Sequence, residues 1–353
     1  VTVRRGATLL AVLAAGSLTG CSTLGYYAQS VGGHLALMRA ALPVPQWLDD
    51  PSTPVTLRER LVLSQRMRDF AVRELKLPDN ASYRRYADLR RNAAVWNVVA
   101  APELSLQLKT WCFPVMGCVG YRGYFDRAEA DALAGELARQ QSLEVLVYGV
   151  PAYSTLGWTN WLGGDPLLNT FIGWIDGELA RLIFHELAHQ VAYASDDTMF
   201  NESFATAVER LGGARWLEQE GSAEAREAYR RHDERRREFK ALTLAARADL
   251  DTIYRSGSDD DTKRARKAER LAALRADYAR VKAERWGGYA GYDSWFERAN
   301  NAAFAIQAAY DELVPQFERL FERQGGDFER FYAEVRRLAA LPKAERHATL
   351  RAS

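Results

Sequence analysis

The sequence predicts an α+β fold that is mainly helical, and three observations lead there. Apolar residues recur at helical spacing along much of the 353-residue chain, first at Leu61, Met67, Phe70, Ala71 and Leu75. Three short segments, residues 94–99, 119–125 and 144–150, are rich in aromatic and β-branched residues and read as strands of a small sheet. Between residues 214 and 285 the composition shifts to Ala, Arg, Glu and Asp and is broken once by "GSDDD" at 257–261. That pattern fits two long charged helices folded as a hairpin.

The length leaves room for one large domain or two ordinary ones with a sizeable core. Charge is nearly balanced, 47 basic against 46 acidic residues, so no nucleic-acid partner is expected. The first residues stand apart. Arg4 and Arg5 precede an apolar run over 7–15 and a small-residue stretch, the layout of an export signal too short for an ordinary membrane span. The following "LTGC", residues 18–21, resembles a bacterial lipobox. The resemblance implies a lipoprotein signal peptide over 1–20, lipid on Cys21 and attachment to the membrane through that lipid. Ser22 in place of aspartate implies the outer membrane, facing the periplasm. An ordinary signal peptide with an incidental cysteine, or a short anchor, is the alternative. Residues 21–56, punctuated by Pro43, Pro45, Pro51 and Pro54, read as a lipid-anchored segment and tether, and 57–353 as the folded domain.

Along that domain the expected elements follow in order. A helix over 57–75 ends before Pro78, and a charged helix over 126–141 separates the second and third strands. Residues 151–169 are irregular, with "AYSTLGW" as an edge strand able to pair with an extended peptide. Helical periodicity returns over 174–194. A further helix begins near Asn201, shows Phe204, Val208 and Leu211 on its apolar face, and is expected to stop at Gly212–Gly213. The hairpin over 214–285 reads as a solvated excursion, an interaction arm being the alternative; its interleaved acids argue against a nucleic-acid face. Aromatic, amphipathic helices follow from Trp286. In an exported chain Cys112 and Cys118, a short loop apart, are expected as a disulfide. Two buried free thiols or a soft-metal site are the alternatives, and no further Cys or His lies near them in sequence.

Two of only five histidines fall in "FHELAHQ", residues 184–190. Positions i and i+4 lie one turn apart on one helical face, so His185 and His189 can reach a single cation. Glu186 lies about 100° further round, placed to address a water rather than the cation. This is H-E-x-x-H, the zinc-peptidase helix. Zn2+ needs three protein ligands and an open position for catalysis. The next apolar helix offers Glu202 in "MFNESFATAVE". Glu209, seven residues on along the same face, is either a ligand or a partner that steadies one; Asp196, Asp197 and His232 also compete.

The string "NESFATAVE" resembles the N-E-x-F-A segment that follows HExxH in gluzincins, above all in zinc aminopeptidases of the alanyl and leukotriene-hydrolase type. Together with "YSTLGWTNWLGGDPLLN", the surroundings look like a family of bacterial lipoproteins described as aminopeptidases. The resemblance implies a gluzincin-like catalytic core, His185, His189 and Glu202 as zinc ligands, Glu186 as general base, and a peptide substrate. Two features depart from the large aminopeptidases: a shorter spacing between His189 and Glu202, and no G-x-M-E-N segment. An endopeptidase of the same clan, or an envelope lipoprotein that binds zinc without chemistry, are the alternative readings. Tyr153, Tyr289 and Tyr292 are candidate donors to an oxyanion.

Overall fold

The structure is a computed structural model that describes residues 25–113, 117–152, 163–195, 197–308 and 313–352. It is mainly helical, with small sheets. Cys21, Tyr153, Asp196 and nearly all of "AYSTLGW" lie outside the described residues. Among the described residues no helix is long and apolar enough to cross a membrane.

Residues 25–40 form helix α1. Strand β1 (Leu42–Pro43) and helix α2 (Val44–Asp49) follow, so the proline-punctuated stretch read as a tether is ordered. It also packs: Leu37, Met38, Ala41 and Val44 are buried in the main core. Pro45 sits in the first turn of α2, where its missing N–H has no intrahelical partner to lose. Helix α3 (Val55–Arg73) buries Leu61, Met67, Phe70 and Ala71, the face read from the sequence.

Strands β2 (Arg85–Ala87) and β3 (Val95–Pro102) come next. Beyond them lie β4 (Trp111–Phe113), β5 (Gly117–Val119) and β6 (Arg122–Tyr124). Helix α4 (Arg127–Gln141), β7 (Leu143–Val150) and β8 (Leu167–Leu168) complete this half of the chain. The strand expected over 119–125 is therefore split between two sheets. β5 pairs with β4 across the Cys112–Cys118 disulfide, while β6 joins β3 and β7 in the order β6-β3-β7. Central strand β3 is apolar almost throughout because both its faces are covered. Val98 and Ala100 meet Ala130 and Leu137 of α4, and the alternate residues Val99 and Ala101 meet Ala302 on the other side. The sheet's outer strands are closed by side chains. Gln29 accepts from Phe125 N and donates to Gly123 O beside β6, while Arg298 and Asn300 donate to the Val147 and Val145 carbonyls of β7.

Helices α5 (Asp176–Ala188) and α6 (Thr198–Gln219) lie at the centre of the main core with Phe184, Phe200 and Phe204 fully buried. Gly212 and Gly213 do not stop α6. A Cβ on Gly212 would lie 2.6 Å from Leu75 Cδ1, and one on Gly213 2.6 Å from Arg181 Cγ. The pair is there for close approach to Leu75, just beyond α3, and to α5, and close packing outweighs the helix-breaking tendency of glycine. Helix α7 (Ala223–Arg255) and helix α8 (Asp260–Glu284) form the charged hairpin, which starts about nine residues later than its composition suggests because α6 runs on. Ser222 and Asp259 cap them, accepting from Ala225 N at 3.1 Å and Thr262 N at 2.8 Å. Among the described residues, five shorter helices follow: α9 (Asp293–Arg298), α10 (Asn301–Ala308), α11 (Val314–Arg323), α12 (Phe328–Ala339) and α13 (Lys343–Ala352).

Candidate metal centre

α5 carries His185 and Glu186 and hands over to His189 at its C-terminal cap; α6 carries Glu202 and Glu209. The turn between them is set by Asp197, whose buried carboxylate accepts from Phe200 N at the start of α6. Arg346 and His347 of α13 reach the same carboxylate at 2.7 and 2.6 Å. Asn201 seals the turn from inside, exchanging hydrogen bonds with both backbone groups of Ala194.

This turn folds Glu202 back over the histidines. His185, His189 and Glu202 form the one group of three among the described residues able to hold a metal ion, with one ligand atom of each within 4.8 Å of the others. The two Nε2 atoms are 3.2 Å apart; Glu202 reaches His185 Nε2 at 3.4 Å and His189 Nε2 at 3.7 Å. On the far side of the ring, His185 Nδ1 lies 3.0 Å from Glu209 Oε2. A carboxylate only accepts, so Nδ1 carries the hydrogen of the contact with Glu209. His189 Nδ1 is buried with no hydrogen-bond partner among the described residues.

The charges are strongly coupled. Burial works against a charged His185, but Glu202 and Glu209 outweigh it and hold its pKa well above the usual value. Burial lowers the pKa of His189. For Glu202 burial acts upward, yet the two histidines prevail and depress its carboxyl. Glu186 is the exception: burial raises its carboxyl, the neighbouring histidines oppose this, and the net shift is upward. Glu209 is pushed up by burial but pulled down to about 2 by Arg181 and His185. Arg181, one turn before His185, donates to Glu209 Oε1 and, at 3.2 Å, to Glu178.

The rivals for the third ligand position are thereby separated in space. Glu209 touches a histidine from behind, Asp197 caps α6, and His232 stands on α7 at 3.5 Å from Glu178. Tyr289 and Tyr292 pack at the base of the hairpin, Tyr292 stacked 4.3 Å from Phe239 and Tyr289 under Arg235. Other tyrosines surround the site. Tyr121, Tyr148 and Tyr193 feel the Glu202 charge, which adds to burial in raising their pKa values. Tyr83, held at a positive φ of 64°, has a buried hydroxyl without a partner among the described residues, and its pKa is raised by burial and then by Glu186. Their strand and loop positions carry no local sequence signal. Arg181 does carry one: it stands at i−4 from His185, on the face that meets α6. A cavity of about 450 Å³ opens between β7 and the α9–α10 region, walled by Leu146, Tyr148, Trp295, Ala303, Ile306 and Gln307.

Residues 25–350 match the model of a protein family described as "Putative aminopeptidase". Neither curated proteins nor solved structures yield a match.

Proposed function

The chain belongs to that aminopeptidase family, and from this premise we propose that it hydrolyses peptide bonds as a gluzincin-type zinc enzyme, with His185, His189 and Glu202 as ligands and Glu186 as general base. One observation carries the reading. The two Nε2 atoms stand 3.2 Å apart, Glu202 Oε2 lies 3.4 Å from His185 Nε2 and Glu202 Oε1 3.7 Å from His189 Nε2; ligands of a tetrahedral zinc, each about 2.0–2.1 Å from the ion, stand about 3.3 Å from one another. Two imidazoles and a carboxylate also suit zinc chemically, and three protein ligands leave a fourth position open.

Bound there, zinc would acidify a water molecule and polarise the scissile carbonyl. The remaining work falls to the chain. Glu209 fixes the tautomer and aim of His185 through Nδ1. Glu186 takes the proton of the attacking water and passes it to the departing amine; burial raises its pKa and makes it a better base than a free carboxylate. A developing oxyanion needs a donor, and Tyr121, Tyr148 and Tyr193, whose phenols burial and the Glu202 charge keep protonated, are the candidates. The mostly apolar cavity that shares Tyr148 suits a substrate side chain. We further propose, from "LTGC", that lipid on Cys21 holds the enzyme at the outer membrane.

Glu186→Gln tests the mechanism, since the amide keeps the shape but takes no proton. Zinc content should match wild type while hydrolysis falls by roughly 10²–10⁴-fold. Undiminished hydrolysis by the zinc-loaded variant would overturn the mechanism. Peptides with free and blocked amino termini separate the aminopeptidase from an endopeptidase, and a zinc-loaded wild type that cleaves neither would point to a non-catalytic lipoprotein.

A further inference from the structure

The hairpin helix α7 comes nearer to the metal centre than a solvated excursion should. A continuous line of polar contacts runs from His185 to Glu209, from Glu209 to Arg181, and from Arg181 to α7. Arg181 Nη1 donates to the Tyr229 hydroxyl at 3.0 Å and to Glu178 at 3.2 Å. Arg236 duplicates both contacts from the other side, donating to Glu178 at 2.8 Å and to Tyr229 at 3.2 Å. His232 lies 3.5 Å from Glu178, and Asp233, itself paired with Arg237 at 3.1 Å, also engages Arg236.

We infer that Tyr229 and Arg236 of α7 are positioning residues of the metal centre: they hold Arg181 on Glu209, so that Glu209 keeps His185 Nε2 aimed at the ion. The inference rests on the metal-centre reading above. Charge gives the reason. Arg181, with only 6% of its side chain exposed, answers to two carboxylates, Glu209 across the helix interface and Glu178 on its own helix. Glu178 stands at i−3, the spacing at which such pairs meet locally without help. Without Arg236, one guanidinium serves both acids, and the local partner draws it from Glu209. With Arg236 present, Glu178 has its own cation, and the Tyr229 oxygen accepts from both guanidiniums and separates them. Shape agrees with charge. Gly177 leaves α5 bare where the Tyr229 ring lies, since a Cβ there would sit 2.4 Å from Tyr229 Cδ2. Within this buried network the Arg181 Nη atoms carry the contacts, while Nε has no hydrogen-bond partner among the described residues.

Zinc affinity of the full chain in detergent, measured by competition with a chelator, tests this directly. Arg236→Leu should raise the zinc Kd about tenfold, the low end of what losing a partner outside the ligand sphere costs. Tyr229→Phe keeps the ring against Gly177 and should shift Kd in the same direction by a smaller factor; Arg236→Lys should recover part of the loss. The visible spectrum of the cobalt(II)-loaded protein should change with Arg236→Leu, because the ligand angle at His185 relaxes. Arg270→Leu, which removes a 2.6 Å pair between α8 and Asp249 of α7, should leave affinity and spectrum unchanged. Wild-type affinity and spectrum in both Arg236→Leu and Tyr229→Phe would overturn the inference while leaving the metal centre standing. A wild type without zinc affinity would instead overturn the metal-centre reading.

Discussion

The helix pair α5–α6 and the hairpin α7–α8 are both charged, yet they use charge in opposite ways. On the outer face of α7, Arg230 pairs with Glu227 and Glu234 at 2.8 and 2.5 Å, and Arg231 with Glu227 at 3.1 Å. These are exposed pairs at helical spacing, each side chain about half accessible to water, and water screens them. Between α5 and α6 the same residue types are packed away from solvent, and Arg181 and His185 both meet Glu209. A charge in water contributes solubility and little else, whereas a buried one must be answered by another group at a fixed place. That obligation turns a cluster of acids and bases into a site. α7 belongs to both regimes: its outward face is solvated, and its inward face, through Tyr229 and Arg236, joins the buried network.

Substitutions can break or sharpen this contrast. The largest effect is expected from Arg181→Leu, which leaves Glu209 and Glu178 without the cation they share. Breaking such a buried pair costs about 3–5 kcal/mol, read as a lower denaturation midpoint, and zinc affinity should fall with it. A stability change no greater than that of a surface arginine would erase the distinction drawn here. Asp197→Asn is expected to cost about 2 kcal/mol, because the amide still caps α6 but no longer answers the charge of Arg346. This effect should depend on pH. Burial pushes the Asp197 carboxyl up, but its bonds to Arg346, Phe200 N and His347 prevail and lower it. The stabilisation is therefore present above the unfolded value of about 4 and is lost as pH falls through the folded one. The gap between wild type and variant should narrow in acid; a gap that widens there would contradict the assigned charge state. The smallest effect belongs to Arg230→Ala, which should leave the melting temperature and zinc affinity where they are.

Features that depend on near neighbours along the chain are legible in the residues alone. His185 and His189 share a face because the helix repeat puts them there, and Phe184 and Leu187 beside them announce a buried helix. The long hairpin, the α4 helix and the strands around Val98 and Val147 follow from composition and period alone. Gly212–Gly213 misled for an equally physical reason. Two glycines are a helix stop in isolation, and only the nearness of Leu75 and Arg181 makes them a docking surface. The segment 119–125 could not be divided from sequence, because Val119 pairs locally with Trp111 while residues 122–124 pair with β3, far away along the chain.

What the sequence determined by itself is the donor set and its spacing: two histidines one turn apart, a glutamate between them, and carboxylates at Glu202 and Glu209 on the next helix. The tertiary structure decided which carboxylate stands where. Glu202 and Glu209 lie seven residues apart on one face of α6, so helix periodicity does not tell them apart, although the N-E-x-F-A resemblance implies Glu202. The crossing of α6 over α5 does. It brings Glu202 to the Nε2 edge of His185 and Glu209 to the Nδ1 edge, where Arg181 is waiting. It also decided that part of a hairpin rich in solvated charge would turn inward. Coulomb interactions have no sequence range, and burial, which no single residue specifies, sets their strength.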